Sequence, residues 1–164
     1  MLFVRHAIAE DRDPEAWPDD SLRPLTARGE KRFRSAARGL RRLVPTVEAV
    51  LASPYERAWR TADLLHEEAG WPRPEQCPVL AAPREPAAVV GLLAERNEAS
   101  LALVGHEPHL SMLASLLLAN DVASARLELR KGGALLLGFA ERCEPGLAVL
   151  RWHLTPKILR SLDS

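Results

Sequence analysis

Residues 2–7 read LFVRHA: three apolar residues run straight into an arginine and a histidine. So short and wholly apolar a run suits a strand buried on both faces, as in a parallel sheet. The layout returns twice. Residues 49–62, AVLASPYERAWRTA, and residues 101–108, LALVGHEP, also pass from an apolar strand through polar residues into a helical pattern. Strands alternating with helices predict an α/β fold, a three-layer α/β/α sandwich around a mainly parallel central sheet.

Between these segments the pattern is equally readable. Residues 10–20, EDRDPEAWPDD, form an acidic, proline-containing loop. Thr26 reads as a helix N-cap, and Phe33, Ala36, Ala37, Leu40 and Leu43 recur at helical spacing behind it. A second strand is expected over 47–52. Ser53 and Pro54 then look like the cap and first position of a helix that runs to about residue 68 and stops at Gly70. A short strand near residues 79–80, a helix over 86–95 and a helix over 108–118 follow. The last third predicts strands at 127–129, 134–139 and 147–154, joined by Gly-rich or Pro/Gly turns, and a short helical tail after Thr155 and Pro156.

The 164 residues fit one domain over 1–164, with 47% hydrophobic and 27% charged residues, as in a globular chain rather than a disordered one. Lysine plus arginine equals aspartate plus glutamate at 22 each, which gives no support to a general nucleic-acid binder. Lys31, Arg34, Arg38 and Arg41 share a helix face; it reads as a solvated face or as a surface that steers an acidic protein, not as a nucleic-acid site. Cys77 and Cys143 form no C-x-x-C pair, hence no disulfide framework and no zinc site. Arg5 and His6 interrupt any signal-peptide run, and no stretch approaches the ~18 apolar residues of a membrane span. A cytoplasmic monomer with no membrane contact is the expectation.

In open α/β sheets, sites form beyond the carboxyl ends of the strands. Arg5, His6, Ser53, Arg57 and His106 all fall there, and Arg57 lies one helical turn after Ser53. Taken singly they are ambiguous. Arg5 fits a salt-bridge partner, His6 a polar strand end, Ser53 a helix cap, and Arg57 a surface arginine. Taken together, two histidines and two arginines around one crevice suit a dense anion such as phosphate, because guanidinium forks and helix N-termini match phosphoryl oxygens.

The residues in these three segments resemble the histidine phosphatase (phosphoglycerate mutase-like) superfamily. VRHA (4–7) is similar to its Arg-His-Gly signature, SPYERAWRTA (53–62) to its Ser-x-x-x-Arg-Ala-x-x-Thr-Ala segment, and VGHEP (104–108) to its second histidine. The stretch SLRPLTARGE (21–30) resembles the SixA-type phosphohistidine phosphatases in particular. The likeness runs from residue 2 to about residue 140. It implies a phosphoglycerate mutase-like fold and a metal-independent phosphatase with no cofactor. His6 would be the nucleophile, and Arg5, Arg57 and His106 would hold the phosphoryl oxygens. A backbone carbonyl on the other ring nitrogen of His6 would fix its tautomer. Arg23 would be a further phosphate ligand or a loop anchor, and Ser53 a substrate-binding residue.

Two positions depart from the family pattern. Ala7 replaces the signature glycine, and Ala82 stands where many members carry the glutamate that protonates the leaving group. An alkoxide leaving group benefits greatly from such an acid. Imidazole, whose conjugate acid has a pKa of roughly 6.5, needs far less help. The sequence therefore favours phosphohistidine on a phosphotransfer protein as substrate. The alternatives are a small phosphomonoester, with Asp20 as the preferred substitute acid over Asp13 or Glu85, and a phosphate-binding module with little turnover.

Overall fold

A computed structural model of the chain describes residues 1–81, 84–140 and 142–163. Six strands and five α-helices follow in the order β1 (Leu2–Arg5), α1 (Ala27–Leu43), β2 (Ala49–Ala52), α2 (Glu56–Ala69), β3 (Glu75–Gln76), α3 (Pro86–Ala94), β4 (Leu101–Gly105), α4 (His109–Ala119), β5 (Ala134–Gly138), β6 (Val149–Leu154) and α5 (Pro156–Ser161). They build one sheet in the order β3-β2-β4-β1-β5-β6. The neighbours β3/β2, β2/β4 and β4/β1 pair in parallel, while β5 returns antiparallel to β1 and β6 antiparallel to β5.

Side chains alternate across a strand, so each strand feeds two cores. Leu2 and Val4 join Val50, Ala52, Ala102 and Val104 under α1, α2 and α5. Phe3 joins Ala49, Leu51, Leu101 and Leu103 under α3 and α4. Helices on both faces complete the three layers. Each fully buried leucine or phenylalanine contributes roughly 1.5–3 kcal/mol to this packing. Against α5, α1 comes so close that a Cβ on Gly39 would collide with the Leu159 carbonyl oxygen.

Helix boundaries follow the local chemistry. The Thr26 hydroxyl accepts from the Gly29 amide at 2.8 Å and starts α1, and Gly70, in the left-handed region at φ 72°, closes α2.

Three expectations are corrected. Residues 78–80 form a 3-10 turn rather than a strand, because Pro78 has no N–H to donate to a ladder. The third strand lies earlier, at the exposed pair Glu75–Gln76 on the sheet edge, where no apolar pattern marks it. Residues 127–129 are not a strand either. The Leu129 amide donates to the Glu107 carboxylate and its carbonyl accepts from Arg5, so side chains hold the groups a ladder would use. Finally, α2 begins at Glu56 with Tyr55 as its cap residue, so Ser53 and Pro54 precede the helix.

Candidate active site

The sheet delivers the site through its backbone. β1 is flanked by β4 and β5, and pairing continues past its end: the His6 amide donates to the Gly105 carbonyl at 3.0 Å. On the other side the turn before β5 closes in. The Gly132 amide donates to the carbonyls of Arg5 and His6 at 3.2 and 3.0 Å, while the Arg5 amide donates to Gly133 at 3.1 Å. Gly132 makes this turn at φ 75°, where a side chain would be strained. Next along the edge, the Ser53 amide donates to the Val104 carbonyl at 2.9 Å.

Arg5, His6, Ser53, Arg57 and His106 are thereby brought together. The His6 and His106 rings lie 5.2 Å apart between centroids. His6 Nδ1 is 2.7 Å from the Ala7 carbonyl oxygen, which can only accept, so Nδ1 carries the hydrogen and Nε2 keeps its lone pair. Burial pushes the His6 pKa down to about 3, and the charges of Arg57, Arg5 and Lys131 add to this against the opposing Ala7 hydrogen bond. His106 is held well below its ordinary value by burial, then by His6 and Arg57. Both rings are neutral at pH 7. His106 Nε2 and Ser53 Oγ are hydrogen-bonded at 2.8 Å, so Ser53 orients the second histidine, and it also receives the Tyr55 amide at 3.3 Å.

Two arginines flank the pair. Arg5 Nη1 donates to the Leu129 carbonyl at 2.7 Å. Arg57 donates from Nη1 to the Asp20 carbonyl and from Nη2 to its carboxylate, at 2.7 and 3.0 Å. Among the described residues, Arg5 Nε, Arg57 Nε and His106 Nδ1 are buried with no hydrogen-bond partner. An unmade buried bond costs roughly 1–3 kcal/mol, a cost met where an oxygen-rich ligand completes it. The arrangement offers an unprotonated imidazole nitrogen beside an electropositive cradle, as nucleophilic attack on a phosphoryl group requires.

The acidic loop reaches this cluster through Asp20. Its burial works against ionisation, but the hydrogen bond from Arg23 and the charges of Arg57, Arg23 and Arg12 outweigh that and hold the carboxyl below its usual range. A group so held is a poor proton donor at neutral pH. Arg23 is present but occupied: Nε donates to Asp20 at 2.8 Å and Nη1 to the Glu10 carbonyl at 2.6 Å, the bonding of a loop anchor. Asp13 caps the Glu15 and Ala16 amides, and Glu85 is the exposed cap residue of α3. Ala82 lies outside the described residues. Among the described residues no three His, Cys, Asp or Glu side chains cluster as metal ligands do, and no helix is long and apolar enough to cross a membrane.

Three supporting residues were missed from sequence. Thr61 receives the Ala7 amide at 3.0 Å and donates to the Arg57 carbonyl at 2.6 Å, tying the end of β1 to α2. The threonine in RTA was the available signal. Tyr55 sits 5.0 Å from the His106 ring, with the Arg57 guanidinium 5.1 Å from the tyrosine ring centre. Glu107 accepts from Ser111 Oγ at 2.7 Å and from the Leu129 amide at 3.3 Å, bracing the segment whose carbonyl holds Arg5.

The sequence matches the profile of the histidine phosphatase superfamily (branch 1) over residues 1–82. It is also 37% identical over 139 residues to an uncharacterized protein of Picosynechococcus sp., covering 82% of each chain. The chain belongs to the histidine phosphatase superfamily. Members of this superfamily are phosphatases, which places the chain among the hydrolases. Its fold is that of the protein histidine phosphatase SixA solved with tungstate, at TM-score 0.82 and 23% identity over 96% of this chain and 97% of that one. A mycobacterial glucosyl-3-phosphoglycerate phosphatase in complex with VO3 shares it at TM-score 0.68 and 17% identity, over 94% and 98% of the two chains.

Proposed function

We propose that this histidine phosphatase dephosphorylates phosphohistidine on a phosphotransfer protein through a phosphohistidine enzyme intermediate. The observation that carries the reading is the state of Asp20. The carboxylate bonded to the cluster is held ionised by Arg23 and Arg57, so it is unsuited to protonating an alkoxide. A substrate that leaves as imidazole asks for no such acid. The fold likeness to SixA, a protein histidine phosphatase, agrees with it.

In the first step the substrate ring carries a proton on its free nitrogen. The lone pair on His6 Nε2 attacks phosphorus, and the P–N bond breaks with its electron pair going to the substrate ring, which leaves as neutral imidazole. Arg5, Arg57 and His106 offer hydrogen-bond donors where charge shifts onto the phosphoryl oxygens. Water then attacks the His6 phosphoramidate, releasing inorganic phosphate and restoring the neutral ring. The scheme needs no metal. The glucosyl-3-phosphoglycerate phosphatase shows the same fold in an enzyme of a small phosphoester, which makes monoesters the comparison to run.

The test is phosphate release from a histidine-phosphorylated phosphotransfer domain beside a panel of phosphomonoesters, with His6→Ala as control. Release from the phosphoprotein is expected to exceed that from every monoester and to fall by at least about 10⁴-fold in the control. A strong preference for a monoester would overturn the reading.

A further inference from the structure

Beside the His6 cluster lies a cavity of about 220 Å³. Ala7 and Gly132 stand in its wall, so it opens at the same sheet edge as His6, on the β5–β6 side. Phe33, Ala36 and Pro156 make its floor apolar. Around it stand Arg32 from α1, Arg130 and Lys131 from the turn before β5, and Lys157 and Arg160 from α5, with no acidic side chain in the lining.

These five cations differ from Arg34 and Arg38 on another face of α1. Arg34 pairs with Glu67 and Glu68, and Arg38 with Glu68 and Asp163. Among the described residues, no ion pair or side-chain hydrogen bond engages the five around the cavity. Burial, and then the like charge of Arg32, hold Arg160 below its usual value, as expected where no anion compensates. In a chain of zero net charge, five cations without an ion-pair partner thus stand around one cavity beside His6.

We propose that this cavity docks an acidic segment of the phosphoprotein substrate, taking one apolar side chain on its floor and flanking carboxylates at its rim. The inference rests on the phosphoprotein reading given above. Four of the cations, Arg32, Arg130, Lys131 and Lys157, are exposed and spread over three elements, so they address a surface rather than enclose a small molecule. An apolar centre ringed by charge is the anatomy of a protein-interface anchor. Complementary charge at such a rim acts mainly on encounter rate and therefore on KM at low salt.

The experiment compares the wild type with Arg32→Gln/Lys157→Gln and with Arg160→Gln. Each is assayed on an acidic histidine-phosphorylated phosphotransfer domain and on phosphoimidazole, which reacts at the same nitrogen but carries no segment. The expected result is a KM for the phosphoprotein raised about tenfold in the double variant, with kcat unchanged and a weaker dependence on salt. Phosphoimidazole turnover stays at the wild-type rate, which also shows that the variants fold. An unchanged phosphoprotein KM would overturn the docking role while leaving the phosphohistidine reading intact. Equal losses on both substrates would overturn it too, in favour of general anion steering or small-anion binding. Failure of the wild type to act on the phosphoprotein would remove both proposals together.

Discussion

The strand edge that carries His6 and the loop that carries Asp20 meet at one cluster but are held by different bonds. His6 is fixed by main-chain bonds to Gly105 and Gly132 on either side of β1. Asp20 is held by side-chain bonds to Arg23 and Arg57, with about a third of its side chain exposed. Buried main-chain pairs bind groups that have nowhere else to bond, whereas a partly exposed carboxylate can give up its arginines to a competing anion. His6, the proposed nucleophile, is therefore fixed by the fold itself, and the Asp20 carboxylate by side chains alone.

Acidification should break the two regions at different pH. Native His6 resists protonation down to about pH 3, and His106 is lowered in the same direction, while unfolded imidazoles take up protons near pH ~6.5. The unfolded chain then binds more protons than the native one, so stability is greatest above that pH and falls as pH drops below it. The expected loss approaches about 2–3 kcal/mol per pH unit for two histidines, read from urea midpoints between pH 7 and 5. Asp20 gives way later, below the ordinary carboxylate range. Midpoints that stay level from pH 7 to 5 would show that the histidines are not held neutral.

Thr61→Val tests whether the edge needs its side-chain tie. It leaves the buried Ala7 amide without an acceptor, which is expected to cost about 1–3 kcal/mol in chemical denaturation. We expect kcat to fall about tenfold as His6 loses its neighbour's anchor. Wild-type values for both would mean that Gly105 and Gly132 suffice.

The smallest effect is expected from Asp20→Asn. The asparagine amide oxygen can still accept from Arg23 or Arg57, and the residue 20 carbonyl still holds Arg57. Removing this partly buried charge should therefore change stability by about 1 kcal/mol and phosphohistidine turnover by less than about threefold. A loss of about 100-fold on a phosphomonoester alone would instead identify Asp20 as the acid for harder leaving groups.

The same distinction explains what the sequence made legible. The apolar runs of β1, β2 and β4 are legible, and it is the shared layout of their polar exits that singles out His6, Ser53 and His106 together. β3 escaped notice because an edge pair of exposed residues carries no alternation. The false strand at 127–129 arose because Leu127 and Leu129 alternate like a strand, while the bonds that divert this backbone come from Arg5 and Glu107, distant in sequence. Ser53 reads as a cap in sequence because its pairing with His106 spans 53 residues.

The position of β1 between β4 and β5 has a consequence for how the protein is made. Its partners Ala102 and Leu136 lie some hundred residues or more further along the chain than Leu2. During synthesis β1 emerges early and must wait, unpaired, until both neighbours have left the ribosome. Contacts of such long sequence separation close slowly, because loop entropy is lost before the ladder rewards it. A truncated or stalled product ending before β4 therefore carries Arg5, His6 and Arg57, yet lacks His106 and the strands that would hold them in place.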